Sequence, residues 1–209
     1  MSVERGTTAM LVRRREILAQ GAEPIGWKVG FNISAAQEKL GIDAPLAGFL
    51  SSNGVLEDGA EVSLDDGPVV IESEVAVELG PDARSIAALL PALEVADPPD
   101  LDQDVETILA GNIFHRAVVF GPRVETNQPG GGRVLVNGEV EHVMAPGETS
   151  AHLEAMIEAV RKRLAAVDED MLPGQRIITG VLAPPHAAHP GDRVRLELDA
   201  LGGVELVFA

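Results

Sequence analysis

The stretch Val69-Val70-Ile71-Glu72-Ser73-Glu74-Val75-Ala76-Val77-Glu78-Leu79 places carboxylates at alternate positions of an otherwise apolar run. Side chains alternate between the two faces of a β-strand, so this spacing puts Glu72, Glu74 and Glu78 on one face. A helix would turn by about 100° per residue and would point Glu72 and Glu74 in nearly opposite directions. The β-branched residues also favour a strand. The stretch therefore predicts a strand with an acidic face.

Two neighbouring carboxylates repel each other on a half-buried sheet face, so Glu72 and Glu74 need either water or a cation. Mg²⁺ and Mn²⁺ are hard ions that take oxygen ligands, and three carboxylates would leave coordination positions for a substrate. The third candidate is Glu94, which lies among small and apolar residues in the alternating segment 91–97. The alternative is a solvated acidic sheet face, and the pattern alone leaves both interpretations open.

Composition restricts the class of protein. The chain has 209 residues, of which 45% are hydrophobic, which is enough for one domain with a substantial core. The net charge of -17 argues against nucleic acid as a partner. The absence of cysteine excludes disulfides and thiolate chemistry. We see no secretion signal, and no apolar run approaches the roughly 18 residues of a membrane span. We therefore expect a cytoplasmic protein without a membrane segment.

Lys28 is the single charged residue in the strand-like run of residues 24–31, among glycines and bulky apolar side chains. A lysine in an apolar site is suited to proton transfer, and one that faces a bound carboxylate is suited to holding that anion. The alternative is a lysine that extends from a strand end into solvent. The local sequence does not decide between a functional and a structural role for Lys28.

The remaining chain alternates between helical and strand patterns. Apolar spacing predicts amphipathic helices near residues 7–20 and 150–167, so residues 1–24 form a helical segment ahead of a single domain of residues 25–209. Residues 84–90 are compatible with a short helix and residues 115–120 with a strand, and Asn137-Gly138 between two apolar runs predicts a tight hairpin turn. His186 and His189 have a spacing that zinc ligands use, but we find no acid or cysteine beside them and expect no zinc there.

Several collinear segments resemble one known family. They are Gly26-Trp27-Lys28-Val29-Gly30, Gln37-Glu38-Lys39-Leu40-Gly41, Glu72-Ser73-Glu74-Val75-Ala76, Pro91-Ala92-Leu93-Glu94-Val95-Ala96-Asp97, Ile177-Ile178-Thr179-Gly180, Pro190-Gly191-Asp192 and Leu201-Gly202-Gly203-Val204. Together they are similar to the 2-oxopent-4-enoate hydratase and 4-oxalocrotonate decarboxylase family of the fumarylacetoacetate hydrolase-like superfamily. The similarity runs in order from about Gly26 to the C-terminus.

The resemblance implies an α+β fold in which a mixed β-sheet roll carries flanking helices. It also implies Mg²⁺ or Mn²⁺ bound by Glu72, Glu74 and Glu94. The substrate would be a small 2-hydroxydienoate or 2-oxo acid, as in aromatic catabolism, and the metal would stabilise the enolate that forms during tautomerisation. We expect a lyase, with hydration preferred over the alternative, decarboxylation of a 2-oxo acid.

By similarity, Lys28 would move a proton or neutralise the substrate carboxylate, and Asn112 and Thr179 would contact substrate oxygens. His115 lies where the family has a serine-containing segment, because residues 112–115 read Asn-Ile-Phe-His. This histidine is a candidate replacement base, and the alternative is a structural histidine at the start of a strand.

Other positions also depart from the family pattern. The family has an acid just before the glycine that follows its first helix, but residues 44–49 read Ala-Pro-Leu-Ala-Gly-Phe. The family's Asp-Ser-Arg is Asp-Pro-Pro at residues 97–99. These losses keep open a non-catalytic relative that serves as a partner subunit or binds a small acid. We also expect a homo-oligomer and consider a partner enzyme of the same pathway.

Overall fold

The computed structural model describes residues 2–150 and 152–209. The strands are β1 (Pro24–Gly30), β2 (Leu46–Ser51), β3 (Val55–Leu56), β4 (Glu61–Val62), β5 (Val70–Leu79), β6 (Ile86–Ala96), β7 (His115–Phe120), β8 (Gly132–Val136), β9 (Glu139–Met144), β10 (Arg176–Ile178), β11 (His186–Ala187), β12 (Arg193–Leu198) and β13 (Gly202–Phe208). The helices are α1 (Val3–Ala19), α2 (Ser34–Leu40), α3 (Val105–Ala110), α4 (Pro146–Ser150) and α5 (Leu153–Ala165), with a 3₁₀ turn at Ser52–Gly54.

The strands form two mixed sheets. The first has the order β2-β1-β10-β5-β6-β7-β3, with β11 paired to β5, and the second has the order β4-β13-β12-β8-β9. Most pairs are antiparallel, whereas β1 with β10, β3 with β7 and β4 with β13 are parallel. Helices α1, α3 and α5 pack against strands of the first sheet, so the predicted α+β fold with a mixed β-sheet and flanking helices is confirmed.

Strand β5 contains the acidic stretch and lies inside the first sheet between β10 and β6. The predicted short helix at residues 84–90 is wrong. Strand β6, the partner of β5, begins at Ile86 and includes most of these residues. The carboxylate of Asp82 accepts hydrogen bonds from the backbone N–H groups of Arg84 and Ser85, at 2.9 and 2.8 Å, and Gly80 N–H donates to the Ser85 carbonyl at 2.8 Å. This tight turn reverses the chain, so the apolar residues that follow become a buried central strand.

The core lies between the two sheets and beneath the helices. Fully buried residues from the first sheet, such as Trp27 and Leu93, share one cluster with Leu196 and Phe208 of the second sheet. Met10 of α1 belongs to the same cluster and is 0% exposed. Helix α1 therefore packs into the common core, and the division of the chain at residue 24 stays a prediction.

Other predicted elements agree with the structure to within a few residues, notably α1, α5, β7 and the β8–β9 hairpin. Asn137 and Gly138 connect β8 to β9 with φ angles of 53° and 86°. Two positive φ angles are typical of the type I′ turn that asparagine and glycine favour. Among the described residues, no helix is both long and apolar enough to cross a membrane.

Candidate metal centre and active site

Three carboxylates meet on the acidic face of the first sheet. Glu72 of β5 lies directly opposite Glu94 of β6 in the antiparallel register, and Glu74 lies two residues from Glu72 on the same face. One oxygen from each side chain lies within 4.8 Å of the others. The strand alternation predicted from the sequence therefore brings the predicted metal ligands together.

The electrostatics of this cluster differ from one carboxyl to the next. Burial, together with the neighbouring Glu94, raises the pKa of Glu72 to about 7, and Lys28 opposes this shift. Complete burial, with Glu94 and Glu72 nearby, raises the pKa of Glu74 well above its usual range. Burial acts on Glu94 in the same direction, but Lys28 and His115 outweigh it and lower the pKa of Glu94. The cluster is short of positive charge, since one lysine faces three carboxyl groups.

Two buried oxygens indicate that the cluster suits a cation. Glu74 Oε1 and Glu94 Oε2 have no hydrogen-bond partner within the described part of the chain. An unpaired buried carboxylate oxygen is costly, and a hard divalent ion coordinated by that oxygen removes the cost. All the donors are carboxylates, which suits Mg²⁺ or Mn²⁺ better than softer metals. The residues present therefore fit the predicted metal.

Lys28 completes the cluster from β1. Its side chain is buried, and its ammonium group donates hydrogen bonds to Glu94 Oε1 and to the Ile113 carbonyl, the latter at 3.1 Å. Lys28 is in register with Ile178 of β10, which is in register with Ala76 of β5. It therefore lies on the same sheet face as the acids, and the alternative of a solvent-exposed lysine is wrong.

A cavity of about 190 Å³ opens beside this cluster. The charged residues that line it within the described chain are Lys28, Glu72 and Asp97. The other lining residues are mainly apolar: Val29, Phe31, Ile33, Ala36, Ala96, Pro99, Leu101, Ile113, Phe114, Val181 and Pro185. Pockets for drug-sized ligands are roughly 300–1,000 Å³, so this cavity suits a smaller molecule with one charged end and an apolar tail.

One wall of the cavity has an unusual backbone. Asn112, Ile113 and Phe114 have φ angles of 64°, 54° and 61°, all in the left-handed region. Such angles are disfavoured for residues with a side chain, and a β-branched isoleucine is a clear outlier. The turn points the Ile113 carbonyl at Lys28 and places Ile113 and Phe114 against the cavity. Backbone strain of this kind is concentrated at functional sites.

The predicted substrate contacts Asn112 and Thr179 lie behind the cavity wall. Asn112 Oδ1 accepts from Phe49 N–H at 2.8 Å, and Asn112 Nδ2 donates to the Phe49 carbonyl at 3.0 Å. The Thr179 hydroxyl donates to the Val75 carbonyl at 2.9 Å. Asn112 thus ties the turn between α3 and β7 to β2, Thr179 ties the end of β10 to β5, and their contact with a substrate stays a prediction.

His115 contacts the metal cluster from the side of β7. Its Nδ1 lies 2.7 Å from Glu94 Oε1, and its side chain is 7% exposed. The other ring nitrogen, Nε2, lies beside Gly54, and His115 is not among the cavity-lining residues. This position suits a residue that orients Glu94, whereas its predicted role as a base stays a prediction.

Sequence reasoning missed two residues at the site. The Gly180 N–H donates to Glu74 Oε2, and Gly180 has a φ of 93°. A Cβ at Gly180 would lie 2.5 Å from Asn32 Cγ, so the glycine allows Asn32 to line the cavity. The signals in the sequence that could have found them were a glycine two residues after β10 and a polar residue two residues after β1.

The structure also corrects the expectation that no acid lies beside His186 and His189. Asp192, three residues after His189, lies against both imidazole rings, so an acid is present after all. Residues 189–192 form a turn, in which the Asp192 N–H donates to the His189 carbonyl at 3.0 Å. This turn reverses the chain direction and places the Asp192 carboxylate next to the two histidines.

The chain is similar to known proteins in both sequence and structure. No family model matches the sequence. The chain is 25% identical to 2-keto-4-pentenoate hydratase 1 of Dechloromonas aromatica strain RCB, an alignment that covers 95% of the chain and 82% of that protein. It is 28% identical to a 4-oxalocrotonate decarboxylase of a Pseudomonas species, covering 90% of the chain and 79% of that protein.

Solved structures show the same fold. The 4-oxalocrotonate decarboxylase from Pseudomonas putida G7, complexed with magnesium and adipate, has a TM-score of 0.88 and 24% identity, covering 100% of the chain and 87% of that protein. Fumarylpyruvate hydrolase from Pseudomonas aeruginosa, in complex with Mn²⁺ and pyruvate, has a TM-score of 0.62 and 15% identity, covering 90% of the chain and 89% of that protein. The resemblance seen in the motifs is confirmed: over most of its length the chain is similar to proteins named 2-keto-4-pentenoate hydratase and 4-oxalocrotonate decarboxylase, and it shares its fold with a solved 4-oxalocrotonate decarboxylase and with a fumarylacetoacetate hydrolase family protein.

Proposed function

We propose that the chain is a divalent-metal-dependent lyase that hydrates a small 2-hydroxydienoate or the corresponding 2-oxo acid. The observation that carries this proposal is the cluster of Glu72, Glu74 and Glu94, with Lys28 beside it, at the wall of a small apolar cavity. The names of its relatives support the same class of reaction, because they include hydratases that act on 2-keto-4-pentenoate and 2-hydroxyhexa-2,4-dienoate.

Glu72, Glu74 and Glu94 would hold Mg²⁺ or Mn²⁺. When bound, the ion supplies positive charge to the carboxylate and 2-oxygen of the substrate and stabilises the negative charge that develops there. Glu94 is oriented for this task by Lys28 and His115, and Glu74 by the Gly180 N–H. These contacts hold the carboxylates in place before a ligand arrives, so little reorganisation is needed on binding.

Lys28 can act on a bound substrate in two ways. Its ammonium group lies between Glu94 and the cavity, so it can neutralise a substrate carboxylate. It also has protons to donate to a carbon or oxygen of a substrate bound beside it. The Ile113 carbonyl fixes the position of the ammonium group, which favours a directed proton transfer over a diffuse electrostatic effect.

The cavity lining favours hydration of a monoacid over decarboxylation of a diacid. Among the described residues that line the cavity, Lys28 is the only positively charged one, and its ammonium group already donates a hydrogen bond to Glu94. A second substrate carboxylate at the far end would meet apolar side chains and the acid Asp97, which would cost desolvation and repulsion. An apolar pentadienoate or hexadienoate tail fits the same surface.

Turnover assays test the proposed function. Purified chain would be mixed with Mg²⁺ or Mn²⁺ and either 2-hydroxypentadienoate or the diacid 4-oxalocrotonate, while loss of the conjugated chromophore is recorded. We expect metal-dependent hydration of the monoacid. Turnover of the diacid with release of carbon dioxide would favour decarboxylation, and activity that appears only with a partner enzyme would favour the subunit alternative. No turnover under any of these conditions would reject the lyase.

Three further expectations from the sequence are retained as part of this proposal. They are assembly into a homo-oligomer, association with a partner enzyme of the same pathway and a cytoplasmic location. Sedimentation analysis of the purified chain tests the first of these directly.

A further inference from the structure

A second cluster of side chains of the types that bind metals is formed by His186 of β11 and by His189 and Asp192 in the loop that leads to β12. His186 Nε2 is 3.1 Å from Asp192 Oδ2, and His189 Nδ1 is 3.4 Å from the same oxygen. One ligand atom from each of the three side chains lies within 4.8 Å of the others. In a tetrahedral site with bonds of roughly 2.0 Å, ligand atoms lie roughly 3.3 Å apart, so these separations suit one central ion.

Neighbouring groups orient two of the three side chains. Glu141 Oε2 of β9 lies 3.3 Å from His186 Nδ1, and Asn137 Nδ2 donates to Asp192 Oδ1 at 2.9 Å. A carboxylate on one imidazole nitrogen sets the tautomer that leaves the other nitrogen free to bind a metal. The group therefore has the outer contacts of a metal site as well as its ligands.

One carboxylate oxygen of Asp192 is shared by the two imidazole rings. Asp192 Oδ2 faces both imidazoles and accepts the His189 backbone N–H at 2.9 Å. Both ring nitrogens therefore converge on the same carboxylate oxygen, which is the arrangement that one ion bound by all three side chains would need.

We propose that His186, His189 and Asp192 form a transition-metal site that binds Zn²⁺, separate from the carboxylate cluster of β5 and β6. Two imidazoles and one carboxylate select Zn²⁺ over Mg²⁺, because imidazole is a poor ligand for hard ions. A water molecule would complete the tetrahedron, since His189 is largely exposed, with 74% of its side chain accessible.

The position of this proposed site indicates a structural role for the ion. His186 pairs with Ile71 of β5, next to Glu72, and the preceding residue, Pro185, lines the cavity. Asp192 is tied to Asn137 at the turn of the β8–β9 hairpin. A bound ion would therefore connect the segment around Pro185 and His186, which lies at one cavity wall, to the β8–β9 hairpin of the second sheet. Because the ion would bind only the folded chain, it would also stabilise that state by mass action.

Calorimetry with Zn²⁺ in excess Mg²⁺ tests the site. We expect saturable zinc binding by the wild-type chain and a loss of at least a hundredfold in affinity in His189→Ala, whose exposed side chain leaves folding intact. Glu141→Ala should weaken binding by roughly tenfold, the usual effect of removing an outer-shell partner. His152→Ala is the matched control, because it removes an exposed histidine outside the group, and should bind zinc like the wild type.

Three outcomes would overturn the proposal. The first is no zinc binding tighter than about 100 μM in the wild type. The second is unchanged zinc affinity in both His186→Ala and His189→Ala. The third is loss of zinc binding in Glu74→Gln together with its retention in His189→Ala, which would place zinc at the carboxylate cluster instead. Circular dichroism confirms that each variant is folded.

Discussion

Lys28 and Glu94 form a buried ion pair although two strands, β10 and β5, separate their strands in the sheet. On a flat sheet, strands that far apart would lie roughly 14 Å from each other, beyond the combined reach of the two side chains across the face. The first sheet therefore curls around its acidic face, and the curl brings Lys28 to the carboxylates. The lysine, the acids and the cavity form one site because the sheet is strongly curved.

Removal of one carboxylate should abolish the metal site. We expect the wild type to bind Mg²⁺ or Mn²⁺ with a rise in melting temperature, because an ion that binds only the folded chain stabilises it. Glu72→Ala should lose both effects. Glu78→Ala is the matched control, since Glu78 lies on the same strand but outside the cluster. Unchanged ion binding in Glu72→Ala would refute the assignment of Glu72 as a ligand.

The metal-free chain should become less stable as the pH rises from about 4.5 to about 7. Glu72 has a pKa of about 7 in the folded chain against an ordinary value of 4.5, so between these pH values the folded state holds a proton that the unfolded state has released. The stability contributed by Glu72 is full below 4.5 and is lost by pH 7. From the 2.5-unit difference, the loss is on the order of 3 kcal/mol.

Urea denaturation in EDTA at pH 5 and pH 8 measures this effect. In Glu72→Gln the pH-dependent loss should be smaller by that amount, because glutamine does not titrate. Without EDTA, saturating Mg²⁺ should stabilise the wild type at pH 8 and leave Glu72→Gln unchanged, because the variant lacks one of the metal ligands. An equal pH dependence in wild type and Glu72→Gln would show that Glu72 does not titrate in this range.

Lys28→Met should reduce turnover of 2-hydroxypentadienoate by about a hundredfold or more, which is the usual effect of removing a positioned acid or base. Methionine fills much of the space of the lysine stem. The metal-free variant should also be less stable, because Glu94 loses its buried counter-charge, and bound metal should restore part of that stability. Lys39→Met, on helix α2, is the control. A fully active Lys28→Met would exclude a catalytic role for Lys28.

Asn112→Ala should destabilise the chain by roughly 2–4 kcal/mol, because it leaves the buried N–H and carbonyl of Phe49 without partners. Asn112→Gly loses the same hydrogen bonds but tolerates the φ of 64°, so it should be destabilised less than Asn112→Ala. Urea denaturation measures both. A variant of normal stability with lost activity would instead support the predicted contact between Asn112 and substrate.

His115→Ala should weaken metal affinity while changing kcat at saturating metal by less than about tenfold. The reason is that His115 orients Glu94 and does not line the cavity. Metal titrations and turnover at saturating Mg²⁺ separate the two effects. A loss of a hundredfold or more in kcat with unchanged metal affinity would assign His115 as the base.

Several features of the protein were determined by local sequence. The alternation of acids in β5, the strand β7 and the Asn-Gly turn of the β8–β9 hairpin depend on residues that are neighbours in the chain. Side-chain alternation in a strand and positive φ angles at asparagine and glycine are local properties, so the pattern predicts them directly. The same alternation identified Glu72, Glu74 and Glu94 as candidate ligands, because each lies in a strand-like run.

Other features depended on tertiary structure alone. Residues 86–96 form a central strand instead of a helix because the turn at Asp82 pairs them with β5, and this pairing decides that Glu94 faces Glu72. The curl of the sheet decides that Lys28 reaches Glu94, and the turn before β12 decides that Asp192 meets His186. Register, curvature and turn geometry follow from packing between segments distant in sequence, which no local pattern specifies.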